Sequence, residues 1–236
     1  MSSIELKPSF TPSSGASESP DTDAVIKALS LIPHIEGGYF VETDARVGSV
    51  GDIPIHASFT FNLVLFRDPL LIPSPFPEDP ASALMPQRPG FNSAYRNAST
   101  SIFYYLTPIS PQGNFHRNRG RTVHTLHRGR GVYVLIHADE PDLPGGGKRI
   151  ETFVVGSNVA KGEKLQWIVE GGKFKASFLL PDDAAGTEKT SGGLLISETV
   201  VPGFEYCDHD FLPAGGLPAL VGKEKAEELA WLVRKA

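Results

Sequence analysis

The chain has 236 residues, of which 40% are hydrophobic, enough for one large domain or two small ones with a buried core. Its 22 basic and 27 acidic residues leave a net charge of −5, which argues against a nucleic-acid partner and against binding to an anionic membrane surface. The single cysteine, Cys207, excludes an intrachain disulfide, and the N-terminal residues lack the apolar core of a secretion signal. We therefore expect a cytoplasmic protein.

The first part of the chain divides into four segments. Residues 1–20 are small, polar and proline-bearing, which predicts a disordered tail. Residues 21–34 have the apolar spacing of a short helix, and residues 35–43 predict a glycine turn that leads into a first strand. Residues 46–95 contain seven prolines within positions 69–89. Because proline lacks the N–H that a sheet interior requires, this segment is predicted to be a long surface insertion.

From residue 96 onward the sequence is typical of β structure. Short β-branched and aromatic segments alternate with glycine turns, which favours an antiparallel sandwich or barrel. Residues 222–236 have helical spacing and predict a C-terminal helix, so the main domain is expected at 21–221. The seven β-rich segments are TSIFYYLT, TVHTLHRG, GVYVLIHA, RIETFVVG, KLQWIVE, FKASFLL and GLLISETVV.

Four motifs in a fixed order resemble one protein family. They are HIEGGYFVET (34–43), RNASTSIFYYL (96–106), FHR (115–117) and VVPGFEYCDHDFL (200–212). Together they are similar to the Cupin_5 group of RmlC-like cupins, most closely its fungal branch. The resemblance implies an all-β double-stranded β-helix, a jelly-roll barrel with short N- and C-terminal helices, and a homodimer. It implies no firm activity, because the group consists largely of domains of unknown function.

Part of the insertion has no counterpart in the family pattern. The segment near residues 46–66 is either a genuine loop insertion or an intron read through in frame. Sequencing the transcript separates these two interpretations, because a spliced message would lack the codons.

The usual metal motif of cupins is present only in outline. Metal-binding cupins place two histidines two residues apart, a glutamate a few residues later, and a further histidine on a later strand. Here His116 is preceded two residues earlier by Asn114, and Thr122 stands at the glutamate position. Phe174 and Lys175 stand where the late histidine would be. We therefore expect no bound metal and no other cofactor at these positions.

The remaining polar residues define a candidate pocket. Strand alternation places Thr122 and His124 on one face and His127 on the other. His116 is the candidate base or proton shuttle, and Glu198, inside an apolar strand, is its candidate acid partner. Arg96 either anchors a substrate anion or pairs with an acid such as Glu42. The predicted substrate-binding residues are Glu36, Glu42, Thr43, Arg96, Thr122 and His124.

Three functions remain open from the sequence. The first is a metal-free cupin that binds a small polar or acidic metabolite and acts as an isomerase or epimerase. The second is a metal-dependent oxygenase or decarboxylase that uses His116, His124 and His137. The third is a non-catalytic binding or storage protein, since the cupin fold does not by itself specify a function.

Overall fold

The structure is a computed structural model that describes most of the chain outside the predicted insertion. Within the described residues, no helix combines the length and the apolar character that crossing a membrane requires. Most of the predicted insertion at 46–95, including residues 46–66, lies outside the described residues. The described ranges are 4–12, 15–43, 71–76, 91–182 and 190–235.

Thirteen strands and three α-helices make up the described part of the chain. The helices are α1 (Pro20–Ala28), α2 (Leu217–Val221) and α3 (Lys223–Leu229), and single 3-10 turns lie at Val159–Lys161, Tyr206–Asp208 and Ala230–Leu232. The strands are β1 (Ile32–Pro33), β2 (Tyr39–Glu42), β3 (Leu71–Pro73), β4 (Tyr95–Asn97), β5 (Thr100–Leu106), β6 (Gln112–Asn118), β7 (Arg121–Arg128), β8 (Gly131–Ile136), β9 (Ile150–Val155), β10 (Gln166–Val169), β11 (Phe174–Leu179), β12 (Leu194–Val201) and β13 (His209–Phe211).

Two antiparallel sheets form the body of the molecule. One has six strands in the order β1-β2-β5-β12-β7-β10, and the other has five in the order β13-β6-β11-β8-β9. Consecutive strands such as β6 and β7, or β10 and β11, belong to different sheets, so the chain alternates between the two layers. This is the jelly-roll arrangement, and the predicted all-β cupin fold is confirmed.

Alternation along the strands separates two cores. On β11, Phe174, Ala176 and Phe178 pack against the helices outside the five-stranded sheet. Leu179 faces the barrel interior, where it packs with residues such as Tyr104, Tyr133 and Trp167. The outward residues bind the C-terminal helices to the barrel, and the inward residues of the same strands are free to form a site.

The ends of the chain differ in detail from the sequence prediction. Within the predicted tail, Ile4 and Leu6 pack against the outer core, and the indole N–H of Trp231 donates to the carbonyl of Leu6 at 3.3 Å. Helix α1 begins at Pro20 because the hydroxyl of Ser19 caps it, accepting from a main-chain N–H at 3.2 Å. The predicted C-terminal helix is divided into α3 and a 3-10 turn.

A small two-stranded ribbon lies at the end of the predicted insertion. Strand β3 pairs with β4, and Pro73 is opposite Tyr95 at the end of the ladder. A proline fits there because a two-stranded ribbon has an outer edge where the missing N–H is not needed.

Candidate functional site

Two groups of polar side chains lie inside the barrel, on strands of both sheets. We call Glu36, His116 and His209 the histidine cluster, and Lys175, Glu198 and His124 the lysine cluster. All six residues are buried, with at most 8% of any one exposed. Buried ionisable groups in such number require an explanation, because burying polar or charged atoms costs free energy unless they are paired.

A tight turn carries Glu36 into the barrel. Gly37 and Gly38 have φ values of 104° and 70°, which residues with a side chain rarely adopt. A Cβ atom on Gly37 would also overlap the carbonyl oxygen of Gln112. Asn114 then holds the turn, since its main-chain and side-chain N–H groups donate to the carbonyl of Glu36 at 2.7 and 2.9 Å. The conformation of the sequence HIEGGYF therefore fixes the position of this carboxylate.

Imidazoles surround the carboxylate of Glu36. His209 Nε2 lies 2.9 Å from Glu36 Oε1, and His116 Nε2 lies 3.3 Å from Oε2. His34 Nδ1 is 3.5 Å from the same Oε2 atom. The rings of His116 and His209 are stacked with their centroids 5.3 Å apart. One donor atom from each of Glu36, His116 and His209 lies within 4.8 Å of the others, a spacing compatible with binding a metal ion.

The tautomer of His116 follows from its other nitrogen. His116 Nδ1 lies 2.8 Å from the main-chain carbonyl oxygen of Asn114, and a carbonyl can only accept. Nδ1 therefore carries a proton, and in the neutral ring Nε2 presents a lone pair to Glu36. Burial lowers the pKa of His116 to about 3, so the ring is neutral at physiological pH. Burial opposes the ionisation of Glu36, but the histidines around it favour its anion and hold its pKa below the ordinary value.

The lysine cluster joins three strands. Lys175 on β11 donates to Glu198 Oε2 at 2.6 Å and to His124 Nε2 at 2.9 Å. Glu198 on β12 and His124 on β7 are directly opposite each other in the six-stranded sheet. His124 is fully buried, and its ring stacks on that of Trp167 at 5.1 Å. The apolar surroundings hold these polar groups in one arrangement.

The surroundings of Glu198 favour its ionised form. Burial opposes the ionisation of Glu198, but the ammonium of Lys175 and the ring of His124 hold its pKa well below the ordinary value. Burial and the charge of Lys175 lower the pKa of His124. The same ammonium also lowers the pKa of His116, which indicates that the two clusters act on one space.

The polar clusters lie toward one end of the barrel. A narrow crevice there is lined by Lys175 together with Asn118, Gly120, Thr122, Val169, Glu170 and Lys173. At the other end of β7, a cavity of about 520 Å³ is lined by residues that include Arg128, Arg130 and Lys161. Buried apolar side chains such as Leu194 and Ile196 fill the interior toward that second end. Lys175 is only 3% exposed, and the crevice beside it is too narrow to hold a water molecule.

Several of the predicted site residues lie inside the barrel. Thr122 and His124 both point inward, as strand alternation predicted, and the hydroxyl of Thr122 accepts from Asn118 Nδ2 at 3.4 Å. His116 and Glu198 are both in the interior, but each contacts a different cluster. His127 is exposed.

Arg96 is engaged in the scaffold. Its Nε and one terminal nitrogen donate to the carboxylate of Asp208 at 2.7 and 3.1 Å, and its other terminal nitrogen donates to main-chain carbonyls. The predicted acid partner therefore exists, but it is Asp208 and not Glu42. Glu42 is partly buried at the end of β2, and Thr43 next to it is exposed.

Sequence reasoning missed three members of the interior. Lys175 was noted only as a residue that replaces a histidine, because a lysine between two apolar residues of a strand is usually expected to face solvent. His209 follows a 3-10 turn in the motif EYCDHD, where the hydrophobic pattern of the sequence does not predict the short strand that the structure has. His34 precedes the glycine turn, and burial lowers its pKa.

Comparisons with known proteins agree with this architecture. The chain is 41% identical over 209 residues to the uncharacterized protein YML079W of Saccharomyces cerevisiae, which covers 88% of this chain and 84% of the yeast protein. A hypothetical protein from Leishmania major superposes with a TM-score of 0.58 at 24% identity, covering 90% of this chain and 98% of that one. A protein of Shewanella oneidensis superposes with a TM-score of 0.56 at 20% identity, covering 91% and 98%. At these identities the two structures show the fold alone.

A family model matches most of the described chain. The Cupin_5 model, described as cupin superfamily (DUF985), matches residues 23–212, which span every element from the turn of Glu36 to the strand of His209. The chain therefore belongs to the Cupin_5 (DUF985) family of the cupin superfamily.

Proposed function

We propose that the barrel binds a small organic acid at Lys175 and transfers a proton on it, as an isomerase or epimerase does. The observation that carries the proposal is the Lys175 ammonium, 3% exposed, held by Glu198 and His124 inside the barrel and lining the crevice. This proposal moves the acid–base role from His116 to the lysine cluster, because His116 Nε2 faces Glu36.

The hydrogen bonds of Lys175 support anion binding. An ammonium has three donors, and among the described residues two of them are engaged, by Glu198 and by His124. The third is left for a carboxylate, which reaches Lys175 when the crevice beside it widens. A charge-assisted hydrogen bond in a buried site is stronger than one in water, so a small acid can be held by few contacts.

The same contact supplies a proton-transfer mechanism. When a substrate carboxylate binds Lys175, it shares the positive charge that stabilises the Glu198 anion, and the proton affinity of Glu198 rises. Glu198 then accepts a proton from the carbon next to the carboxylate, and the electron pair moves into an enolate that Lys175 stabilises. The enolate then turns over in the site and takes the proton back from Glu198 on its other face, which inverts the configuration of that carbon, so atoms and charge balance without a co-reactant.

The binding step is tested with a panel of small mono- and dicarboxylic acids, measured by thermal shift and calorimetry. At least one acid should bind wild type saturably. The double variant K175M/E198Q removes both charges of the pair, which avoids leaving one buried charge alone. We expect it to fold and to bind that acid at least about 10-fold more weakly, equivalent to the roughly 1.5–3 kcal/mol of a charged hydrogen bond.

A matched control is Lys164→Met. Lys164 also pairs with a glutamate, Glu151, but it does not line the crevice. K164M should bind the acid as wild type does. Unchanged affinity in K175M/E198Q would refute the proposed role of the lysine cluster.

The reaction class is tested by hydrogen exchange. An acid that binds is incubated with the protein in D₂O, and loss of its C–H signal is followed by nuclear magnetic resonance. Wild type should catalyse the exchange, and E198Q should reduce its rate at least about 100-fold, the usual size of a general-base contribution. If an acid binds but no exchange occurs, the protein is a binding cupin and the catalytic part of the proposal is wrong.

A further inference from the structure

We propose that Glu36, His116 and His209 form a binding site for a first-row divalent metal ion, separate from the positions that metal-binding cupins usually use. Of those usual positions only that of His116 is retained. Glu36 comes from the turn before β2, and His209 begins β13. The site is therefore assembled from three distant parts of the chain.

The negative charge of Glu36 is the first reason to expect a cation at this site. Glu36 is a buried carboxylate, and its ion-pair partners among the described residues are all histidines. Glu198, by contrast, is neutralised by Lys175. A buried anion without a lysine or arginine beside it is costly, and a divalent cation removes that cost.

The orientation of the His116 ring is the second reason. Because His116 Nδ1 donates to the carbonyl of Asn114, Nε2 is the ring nitrogen left to coordinate an ion, and it lies 3.3 Å from a carboxylate oxygen of Glu36. Metal-bound histidines characteristically donate their other N–H to a carbonyl or carboxylate, which fixes the ring as Asn114 does here.

The distances between the carboxylate oxygens of Glu36 and the histidine nitrogens are the third reason. Ligand atoms about 2.0–2.2 Å from one ion are separated by about 2.8–3.6 Å, from octahedral to tetrahedral angles. The two Glu36–histidine distances, 2.9 and 3.3 Å, are within this range. Two imidazoles and one carboxylate are a donor set for ions such as Zn²⁺ or Fe²⁺, and they leave coordination positions open for a substrate oxygen.

A second group of potential ligands does not meet these criteria. His137, Asp139 and Glu140 also lie close together, but Glu140 pairs with Arg149 at 2.7 Å and Asp139 pairs with Lys173 at 2.7 Å. The protein itself supplies the cations there. The histidine cluster differs because its carboxylate is buried and its partners are imidazoles.

The test uses chain freed of metal by a chelator and then titrated with Co²⁺ and Zn²⁺ in the absence of any organic acid. Wild type should bind one Co²⁺ per chain, with the visible absorption of a nitrogen- and oxygen-coordinated ion. H209Q and E36Q should bind at least about 100-fold more weakly, because even partners of metal ligands contribute up to that factor. H127Q is the matched control, since His127 is exposed on a neighbouring strand, and it should bind as wild type does.

Two outcomes would overturn the proposal: wild type that binds no metal ion, or H209Q and E36Q that bind it as tightly as wild type. A second measurement uses wild type alone and so does not depend on the folding of a variant. Anomalous diffraction from crystals soaked in Zn²⁺ should give its strongest peak among Glu36, His116 and His209, and a strongest peak elsewhere would refute the site. Failure of either measurement would leave the proposed role of Lys175 untouched.

Discussion

At the scale of single residues, some buried charged side chains stabilise the fold and others face the candidate functional site. Arg96 and Asp208 form a buried pair with two charge-assisted hydrogen bonds, while Lys175 and Glu198 form a second pair that lines the crevice. Sequence alone could not tell these two pairs apart. The partner of Arg96 is 112 positions away, and such a long-range contact has no local signal.

The structural role of Arg96 is testable through stability. Arg96→Met leaves Asp208 as an unpaired buried charge, and we expect the free energy of unfolding to fall by about 3–5 kcal/mol in urea titrations. The control R121M removes an exposed pair with Glu170 and should cost less than about 1 kcal/mol. The affinity for an acid that binds Lys175 should not change in folded R96M. Lost affinity with retained stability would instead restore Arg96 as the anion anchor.

At the scale of elements, the accuracy of the sequence prediction depended on how apolar each strand is. All seven predicted β-rich segments are strands, because their alternating β-branched and aromatic residues fill the two cores. Strands β6 and β13 were not among them. Their inward positions carry His116 and His209 instead of apolar residues, so the hydrophobic pattern is weakest in the strands that build the histidine cluster.

The glycine turn before β2 gives a prediction at this scale. Gly37→Ala introduces both an unfavourable φ and an overlap with Gln112, and we expect a loss of about 3 kcal/mol in the free energy of unfolding. Gly145 is the matched control, because its φ of 100° is similar but a Cβ there would meet no atom within 4 Å. G145A should cost about 1–2 kcal/mol, the conformational penalty alone. Equal losses in urea titrations of the two variants would show that the contact with Gln112 does not matter.

At the scale of the whole molecule, the buried clusters couple stability to pH. The folded state holds Glu198 ionised and His124 neutral, with both pKa values lowered from 4.5 and 6.5. Lys175, Tyr104 and Tyr133 surround the same space, and burial and the Glu198 charge keep both tyrosines protonated. Unfolding therefore takes up protons in acid, where both side chains regain their ordinary pKa values.

The expected consequence is a stability that is greatest near neutral pH. It should fall as the pH drops below about 6.5, where an unfolded histidine becomes protonated, and fall more steeply below about 4.5, where an unfolded glutamate does. E198Q should be less stable than wild type at pH 7, but its stability should decline less between pH 4.5 and 3.5. Parallel curves for the two proteins in urea titrations across this range would contradict the assignment of Glu198.

The family implies a homodimer, and this quaternary state stays a prediction. The cupin fold itself is the most predictable feature of the molecule, since four motifs and the strand pattern both indicated it. The function is less predictable, because the six interior side chains derive from six separate elements and meet only after folding.

The one-sided distribution of polar groups in the barrel has a kinetic consequence. Apolar side chains fill one end of the interior, so in the proposed reaction the substrate and the product both pass through the crevice beside Lys175, which has to widen each time. In each catalytic cycle the product would then have to leave the barrel before the next substrate molecule could bind. The product should therefore act as a competitive inhibitor in steady-state kinetics, and we expect its dissociation to limit the turnover rate more than the proton transfer does.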